Sequence, residues 1–296
     1  MEDKYFGATE ARDSAADLGV KAMVERALRP LAAAVGLDEA ELAQAVDRDL
    51  SGRVARSVFD EIAGAGIRLQ SARVLDMGAG LGHASVEAVR RGCDLIAIEP
   101  GVEWCDVVKR RLSELGRGEA IVGDGQHFPF PDGCFDLIVS IGVLEHVRRP
   151  TAYLAEAHRV LKPGGSMFLS CENYLSFWEP HYQLAWFPLL PKRLAAIYLR
   201  MRGRSSEFLF SSITYTTRLG VNWRLRRLGF QFDREMKLRS KLNSMLVGRV
   251  PRAALVARAA ARVVLGLEEL RRAFTHYHRT IVHKETAAAA APIRAA

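Results

Sequence analysis

The sequence predicts an α/β fold built on a mostly parallel sheet. Short apolar runs alternate with helix-length stretches between Arg73 and Ser170; a glycine-rich string stands where one run gives way to a helix; and three successive runs each end in an acidic residue. Strands joined by crossovers of this length form βα units on a parallel sheet and present ligands at the carboxyl ends of the strands.

In order, the first seventy residues read as helices. Asp13 is placed to cap a segment through about Leu28, with Val20, Val24 and Leu28 at helical spacing and Pro30 interrupting it. Asp38 to Val46 and Arg53 to Ala63 follow, the latter ending near Gly64 and Gly66. Then come Val74-Leu75 with the helix Ala84 to Arg91, and Leu95 to Ile98 with Trp104 to Leu115. Ala120 to Val122 is a third strand. Phe135 to Ile141 precedes the helix Thr151 to Leu161, and Ser166 to Ser170 is the fifth strand. After Cys171 the regularity lapses: residues 172–212 are aromatic, Pro-interrupted and basic. A helix over 217–228, a strand at Phe230-Gln231-Phe232 and a helix from Pro251 to His278 are expected next. That last helix sets Arg258, Arg262, Glu269, Arg272 and His276 opposite Val256, Val263, Leu267, Leu270 and Phe274. Thr280-Ile281-Val282 reads as a last strand. The expected organisation is a helical extension (1–70), a core (71–236) with an insert at about 172–215, a basic helix and strand (237–286), and a disordered alanine-rich tail (287–296).

The chain has 296 residues, 49% hydrophobic and 26% charged, which excludes a disordered, collagenous or disulfide-scaffold protein. Cys93, Cys105, Cys134 and Cys171 form no CxxC or Cys/His cluster, so no metal is expected and the cysteines read as reduced. With no secretory leader or membrane-length apolar run, a cytoplasmic protein is expected. Residues 1–170 carry 20 Lys+Arg against 26 Asp+Glu, whereas residues 171–296 carry 22 against 8. A basic last part is suited to something anionic: nucleic acid, a phospholipid surface, or an acidic substrate.

The most specific string is Val74-Leu75-Asp76-Met77-Gly78-Ala79-Gly80-Leu81-Gly82. Glycines there permit a tight turn and close approach of backbone to ligand. The spacing is GxGxG rather than the dinucleotide GxGxxG, and Asp76 ahead of the loop would repel a pyrophosphate. A carboxylate there suits a cationic ligand, and S-adenosylmethionine, with its sulfonium and ammonium, meets that requirement. Glu99, 21 residues after Gly78, is placed to accept hydrogen bonds from ribose hydroxyls. Asp124 and Gln126, after the third strand, are placed to read the adenine edge.

With these residues the sequence resembles the class I, Rossmann-like S-adenosylmethionine-dependent methyltransferases, particularly the type 11 group. The resemblance runs from Arg73 to Ser170 and weakly on to Phe232. It extends to Phe128 through Asp136, to Val143-Leu144-Glu145-His146-Val147, and to Arg159-Val160-Leu161-Lys162-Pro163-Gly164-Gly165. It implies a Rossmann-like methyltransferase sheet with helices on both faces and an antiparallel last strand. It also implies Asp76, Gly78 and Gly80 around the methionine moiety, Glu99 on the ribose, Asp124 and Gln126 near adenine, and backbone from Ser140 to Gly142 beside the methionine end.

Methyl transfer is an in-line displacement that needs an aligned acceptor and excluded water, helped by a base when the acceptor is a hydroxyl. His146 follows strand four and is a candidate base, or a residue that only shapes the site. Glu179 and His181 are candidates for activating a hydroxyl. Their segment, Glu172 to Tyr182, mixes apolar platform with directed polar groups, as a sugar or ring acceptor would require. Asn173, Tyr174, Trp178, Tyr182, Arg204 and Tyr215 are the expected acceptor contacts, with core packing the alternative for Phe177, Trp178 and Trp186. Arg200, Arg202 and Arg204 around Gly203 suit an anionic group.

The primary expectation is transfer to a small-molecule, glycan or lipid-linked acceptor; against a nucleic-acid base as acceptor, Ser140-Ile141-Gly142-Val143 stands where an Asn/Asp-Pro-Pro-aromatic motif for exocyclic amines would be. Oxygen is the expected methylated atom, with peripheral membrane contact. The alternatives are a nucleic-acid methyltransferase gripping phosphates with the basic region and a non-catalytic protein that retains the loop.

Overall fold

The computed structural model describes residues 15–125, 127–233 and 277–286. Three helices open the described residues: α1 (Ala15–Val35), α2 (Glu39–Leu50) and α3 (Arg53–Gly64). Pro30 does not end α1, contrary to expectation. Proline removes a backbone donor and crowds the preceding turn, but Val24, Ala27, Ala32 and Val35 are all buried, and that packing carries the helix through. α2 begins with a reciprocal cap: Asp38 accepts from the Glu41 amide at 2.8 Å, and the Glu41 carboxylate accepts from the Asp38 amide at 2.9 Å.

The alternation that follows is as expected: β1 (Arg73–Met77), α4 (His83–Arg90), β2 (Asp94–Glu99), α5 (Val102–Leu115), β3 (Glu119–Val122), β4 (Phe135–Ile141), α6 (Pro150–Val160) and β5 (Leu161–Glu172). A 3₁₀ turn, Leu144–His146, follows β4. The insert holds a two-stranded hairpin, β6 (Trp178–Glu179) and β7 (Leu184–Ala185), then α7 (Lys192–Met201) and α8 (Glu207–Ser211). α9 (Arg218–Arg227), β8 (Phe230–Phe232) and β9 (Tyr277–Lys284) close the described chain. Among the described residues the sheet has seven strands in the order β3-β2-β1-β4-β5-β9-β8. β9 is antiparallel to both neighbours, as the resemblance implied. All but the last two residues of the basic helix expected at 251–278 lie outside the described residues, as does the tail after Thr286; Tyr277 and His278 belong to β9 instead.

Successive side chains of a strand point to opposite faces, and here both faces are covered. Leu75, Met77, Ile138, Met167 and Leu169 pack with Leu154 and Val160 of α6 and Val221 and Leu225 of α9. Val74, Leu95, Leu137, Val139 and Phe168 pack on the other side with Phe59, Ile62, Ala88 and Val108. The N-terminal helices reach the ligand end of this sheet, where Val20, Val24, Leu42 and Val46 enclose Leu81 of the glycine loop and Val107 of α5. Asp49 of α2 fastens them, with Oδ2 at 2.5 Å from Arg111 and Oδ1 at 3.4 Å from His83. A separate small core, with Val35, Tyr174, Tyr182, Trp186, Leu199 and Leu209, joins α1 to the insert.

Candidate functional site

The glycine loop joins β1 to α4 with Gly78, Gly80 and Gly82 at φ +80°, +57° and +83°. Those angles suit glycine. At Gly78 a Cβ would also stand 2.6 Å from Val143 Cγ1, so the loop and the segment after β4 approach as backbone against side chain. The amides of Gly78 and Ala79 donate to the Ile98 carbonyl at 2.9 and 3.0 Å, which ties the loop to the end of β2. There Glu99 accepts from the Gly80 amide at 2.8 Å and from the Gly101 amide at 3.0 Å. Burial pushes its carboxyl above the usual range against the opposing pull of these amides. Each oxygen uses one lone pair on backbone and keeps another for a ligand hydroxyl.

Asp76 stands at the end of β1, just ahead of the glycine loop. It is 3% exposed and accepts from the Ser85 hydroxyl at 2.5 Å, bracing the loop against α4. Ser140 is fully buried; its hydroxyl shares a hydrogen bond with Tyr153 at 2.9 Å, and Tyr153 donates to the Met77 carbonyl. Only the Ser140 backbone is left for the loop side. Asp124 is exposed just after β3 and accepts from the His127 amide at 3.2 Å, while Gln126 lies outside the described residues.

Beyond β4 and β5 a polar cluster forms. Glu179, fully buried in the insert hairpin, accepts from His181 Nδ1 at 2.8 Å, from the Tyr174 hydroxyl at 3.2 Å and from the Tyr182 amide at 2.7 Å. Burial depresses the His181 imidazole, but the hydrogen bond and charge of Glu179 outweigh it and hold the ring above its ordinary value. The His181 and His146 rings meet edge to face at 5.1 Å, and Phe208 lies against both. His146 Nδ1 donates to the Ser212 carbonyl at 2.9 Å. Crowding out of water around this ring, together with the neighbouring His181 charge, pulls His146 below its ordinary value.

Two residues not singled out in the sequence complete the cluster. Glu145 is 1% exposed; its Oε1 accepts from the Glu172 amide at 3.3 Å, and Oε2 has no hydrogen-bond partner among the described residues. Glu172, at the end of β5, is pushed up to about 8 by burial and by the charge of Glu145. Both stood in quoted strings, Glu145 beside His146 and Glu172 at the head of the aromatic segment. Their burial, the property that matters, has no local signature.

The remaining expected acceptor contacts divide. Tyr174 stacks on Tyr215 with centroids 4.5 Å apart beside Glu179. Asn173 is buried, and its carbonyl oxygen accepts from the Leu175 and Arg218 amides, so it organises the chain entering and leaving the insert. Tyr182 is fully buried and accepts from the Leu209 amide through its hydroxyl, a packing role. Trp178 stands 45% exposed on the hairpin, outside the cluster. Arg204 reaches Glu41 at 3.4 Å and lies over Gly36, so it braces the insert on the α1–α2 turn.

Residues 75–169 match the family model described as a methyltransferase domain. A demethylmenaquinone methyltransferase of Renibacterium salmoninarum is 30% identical over 138 residues, covering 47% of this chain and 56% of that protein. A ubiquinone biosynthesis O-methyltransferase of Pseudomonas aeruginosa is 34% identical over 119 residues, covering 39% and 49%. The chain thus spans about half the length of these curated relatives. In fold it resembles a Galdieria sulphuraria protein provisionally described as a sarcosine dimethylglycine methyltransferase, with 16% identity, TM-score 0.52, and 80% and 88% of the two chains covered. With matched motifs, sheet order and loop geometry in agreement, the chain carries a class I S-adenosylmethionine-dependent methyltransferase domain.

Proposed function

We propose that the protein methylates an oxygen of a small-molecule, glycan or lipid-linked acceptor bound against the Glu179–His181 pair. The observation that carries this reading is the 2.8 Å hydrogen bond from His181 Nδ1 to a fully buried carboxylate, beyond the carboxyl ends of β4 and β5. The residues around the loop fit S-adenosylmethionine: Glu99 has lone pairs open to ribose hydroxyls, and the glycines leave backbone at the ligand's edge. That cofactor supplies, when bound, a methyl carbon on a positively charged sulfur.

In this reading Glu99 holds the ribose and Asp124 lies toward the base. With Nδ1–H committed to Glu179, His181 offers Nε2 to the acceptor hydroxyl and takes its proton, while the carboxylate stabilises the imidazolium that forms. Tyr174, Tyr215 and Phe208 form the apolar wall that excludes water. The lipid-linked form of the acceptor is supported by the insert surface. Leu194, Ile197 and Met201 share one exposed stripe of α7, near exposed Phe187 and beside exposed Arg200 and Arg202. Among the described residues no helix is long and apolar enough to cross a membrane.

The test is label transfer from methyl-labelled S-adenosylmethionine into an extract of source cells, fractionated into lipid, polymeric glycan, small molecules and nucleic acid. Label in any of the first three supports the reading. Label confined to the nucleic-acid fraction and released by nuclease overturns it and assigns the basic C-terminal part to phosphate binding.

A further inference from the structure

We infer that Glu145, His146 and His181 form a binding site for one divalent transition-metal ion. Each offers a donor atom within 4.8 Å of the other two, although His181 comes from the insert, 35 positions beyond His146. Two imidazoles and one carboxylate with open positions are a donor set that suits zinc and its neighbours in the first transition row.

The surroundings are those of a metal site in three respects. Ligating histidines almost always donate their other ring N–H to a carboxylate or a backbone carbonyl, which fixes the tautomer and turns the remaining nitrogen toward the ion. Both histidines do so here: His181 Nδ1 to Glu179 at 2.8 Å and His146 Nδ1 to the Ser212 carbonyl at 2.9 Å. Nε2 is therefore the open atom on each ring. Second, Glu145 Oε2 is buried without a hydrogen-bond partner among the described residues, while Oε1 is oriented by the Glu172 amide. A buried acceptor left unpaired is costly, the more so when it is charged, and a cation removes that cost. Third, Glu145, Glu172 and Glu179 bring three carboxyl groups into one buried cluster, where a divalent ion favours the ionised form of the carboxyl it touches.

The role of the ion rests on the methyltransferase reading above. An acceptor hydroxyl bound to it loses its proton to water at a lower pH than the free hydroxyl would. The oxygen then takes the methyl carbon as the carbon–sulfur bond breaks, its electron pair remaining on sulfur. In the metal-free protein His181 Nε2 accepts the proton directly, as proposed above.

The experiment strips the full chain with a chelator and titrates it with Co²⁺, following the visible absorption of the bound ion, and with Zn²⁺ by calorimetry. One saturable site per chain is expected. His146→Asn, His181→Asn and Glu145→Gln each weaken it at least about tenfold, and Glu179→Gln, which removes the orienting carboxylate, weakens it about 10–100-fold. Binding of S-adenosylhomocysteine by each variant checks that the fold survives; if Glu145→Gln fails that check, the histidine variants carry the test. No saturable Co²⁺ site in the wild-type chain, or variants that bind as wild type does, overturns the proposal. Saturable binding without methyl transfer to any acceptor supports the site and sinks the methyltransferase reading alone. Equal transfer rates in stripped and loaded protein overturn the assigned role of the ion.

Discussion

Glu179 and His181, two residues apart in sequence, are joined at 2.8 Å with the carboxylate fully buried and the imidazole turned toward His146. A tight hairpin between β6 and β7 makes this possible. Its backbone closes the pair's geometry through the Tyr182 amide, which donates to the second Glu179 oxygen.

His181→Ala is expected to lower turnover by about 10²-fold or more, the usual contribution of a positioned acid–base group. Affinity for S-adenosylhomocysteine should stay within a factor of about two to three, on the order of the context scatter of such measurements, because the ring's partners Glu179, His146 and Phe208 all lie outside the glycine loop. Unaltered turnover in a steady-state assay would remove His181 from the chemistry.

Glu99→Gln keeps the size of the side chain but replaces one acceptor by a donor facing a backbone amide. Loss of a charge-assisted hydrogen bond of about 1.5–3 kcal/mol corresponds to roughly 10–100-fold weaker cofactor binding. Calorimetric titration with S-adenosylhomocysteine measures it, and circular dichroism should be unaltered. Wild-type affinity would take Glu99 out of the cofactor site.

Gly78→Ala places a methyl group 2.6 Å from Val143 Cγ1 at a φ of +80°. The left-handed backbone costs about 1–2 kcal/mol by itself, and the clash adds to it. Val143→Ala in the same chain should relieve the clash but leave the backbone cost, so the double variant is less destabilised than the sum of the two. Additive denaturation midpoints would show that the contact is not felt.

Asp49→Asn tests the clamp on the N-terminal helices. Removing one member of a buried pair costs about 3–5 kcal/mol, and the Asp49 and Arg111 side chains are 12% and 8% exposed. Burial raises the Asp49 carboxyl, but His83 and Arg111 together hold it below its ordinary 3.8. A depressed carboxyl stabilises the fold above its unfolded value and loses that contribution as pH falls through the lower folded value. The gap between wild type and variant in urea denaturation should therefore be widest near neutrality and close only in strong acid. A gap constant down to acid pH would mean that the carboxylate charge is not what holds the helices.

The strand alternation and the turn glycines were legible in the sequence because each is decided within a few residues. Side-chain alternation and left-handed φ need no distant partner, so β1 to β5, the glycine loop and Glu99 could be located from spacing alone. Only the tertiary structure decided the rest. α7 buries Ala195, Ala196 and Leu199 on one face and exposes Leu194, Ile197 and Met201 on another, so spacing alone does not say which apolar face packs inward. Pro30 stays inside α1 because distant contacts outweigh a local rule, and Arg204 turns to Glu41 because the insert packs on α1. Glu145, His146 and His181 meet for the same reason: non-local burial, not spacing along the chain, chooses which side chains become neighbours.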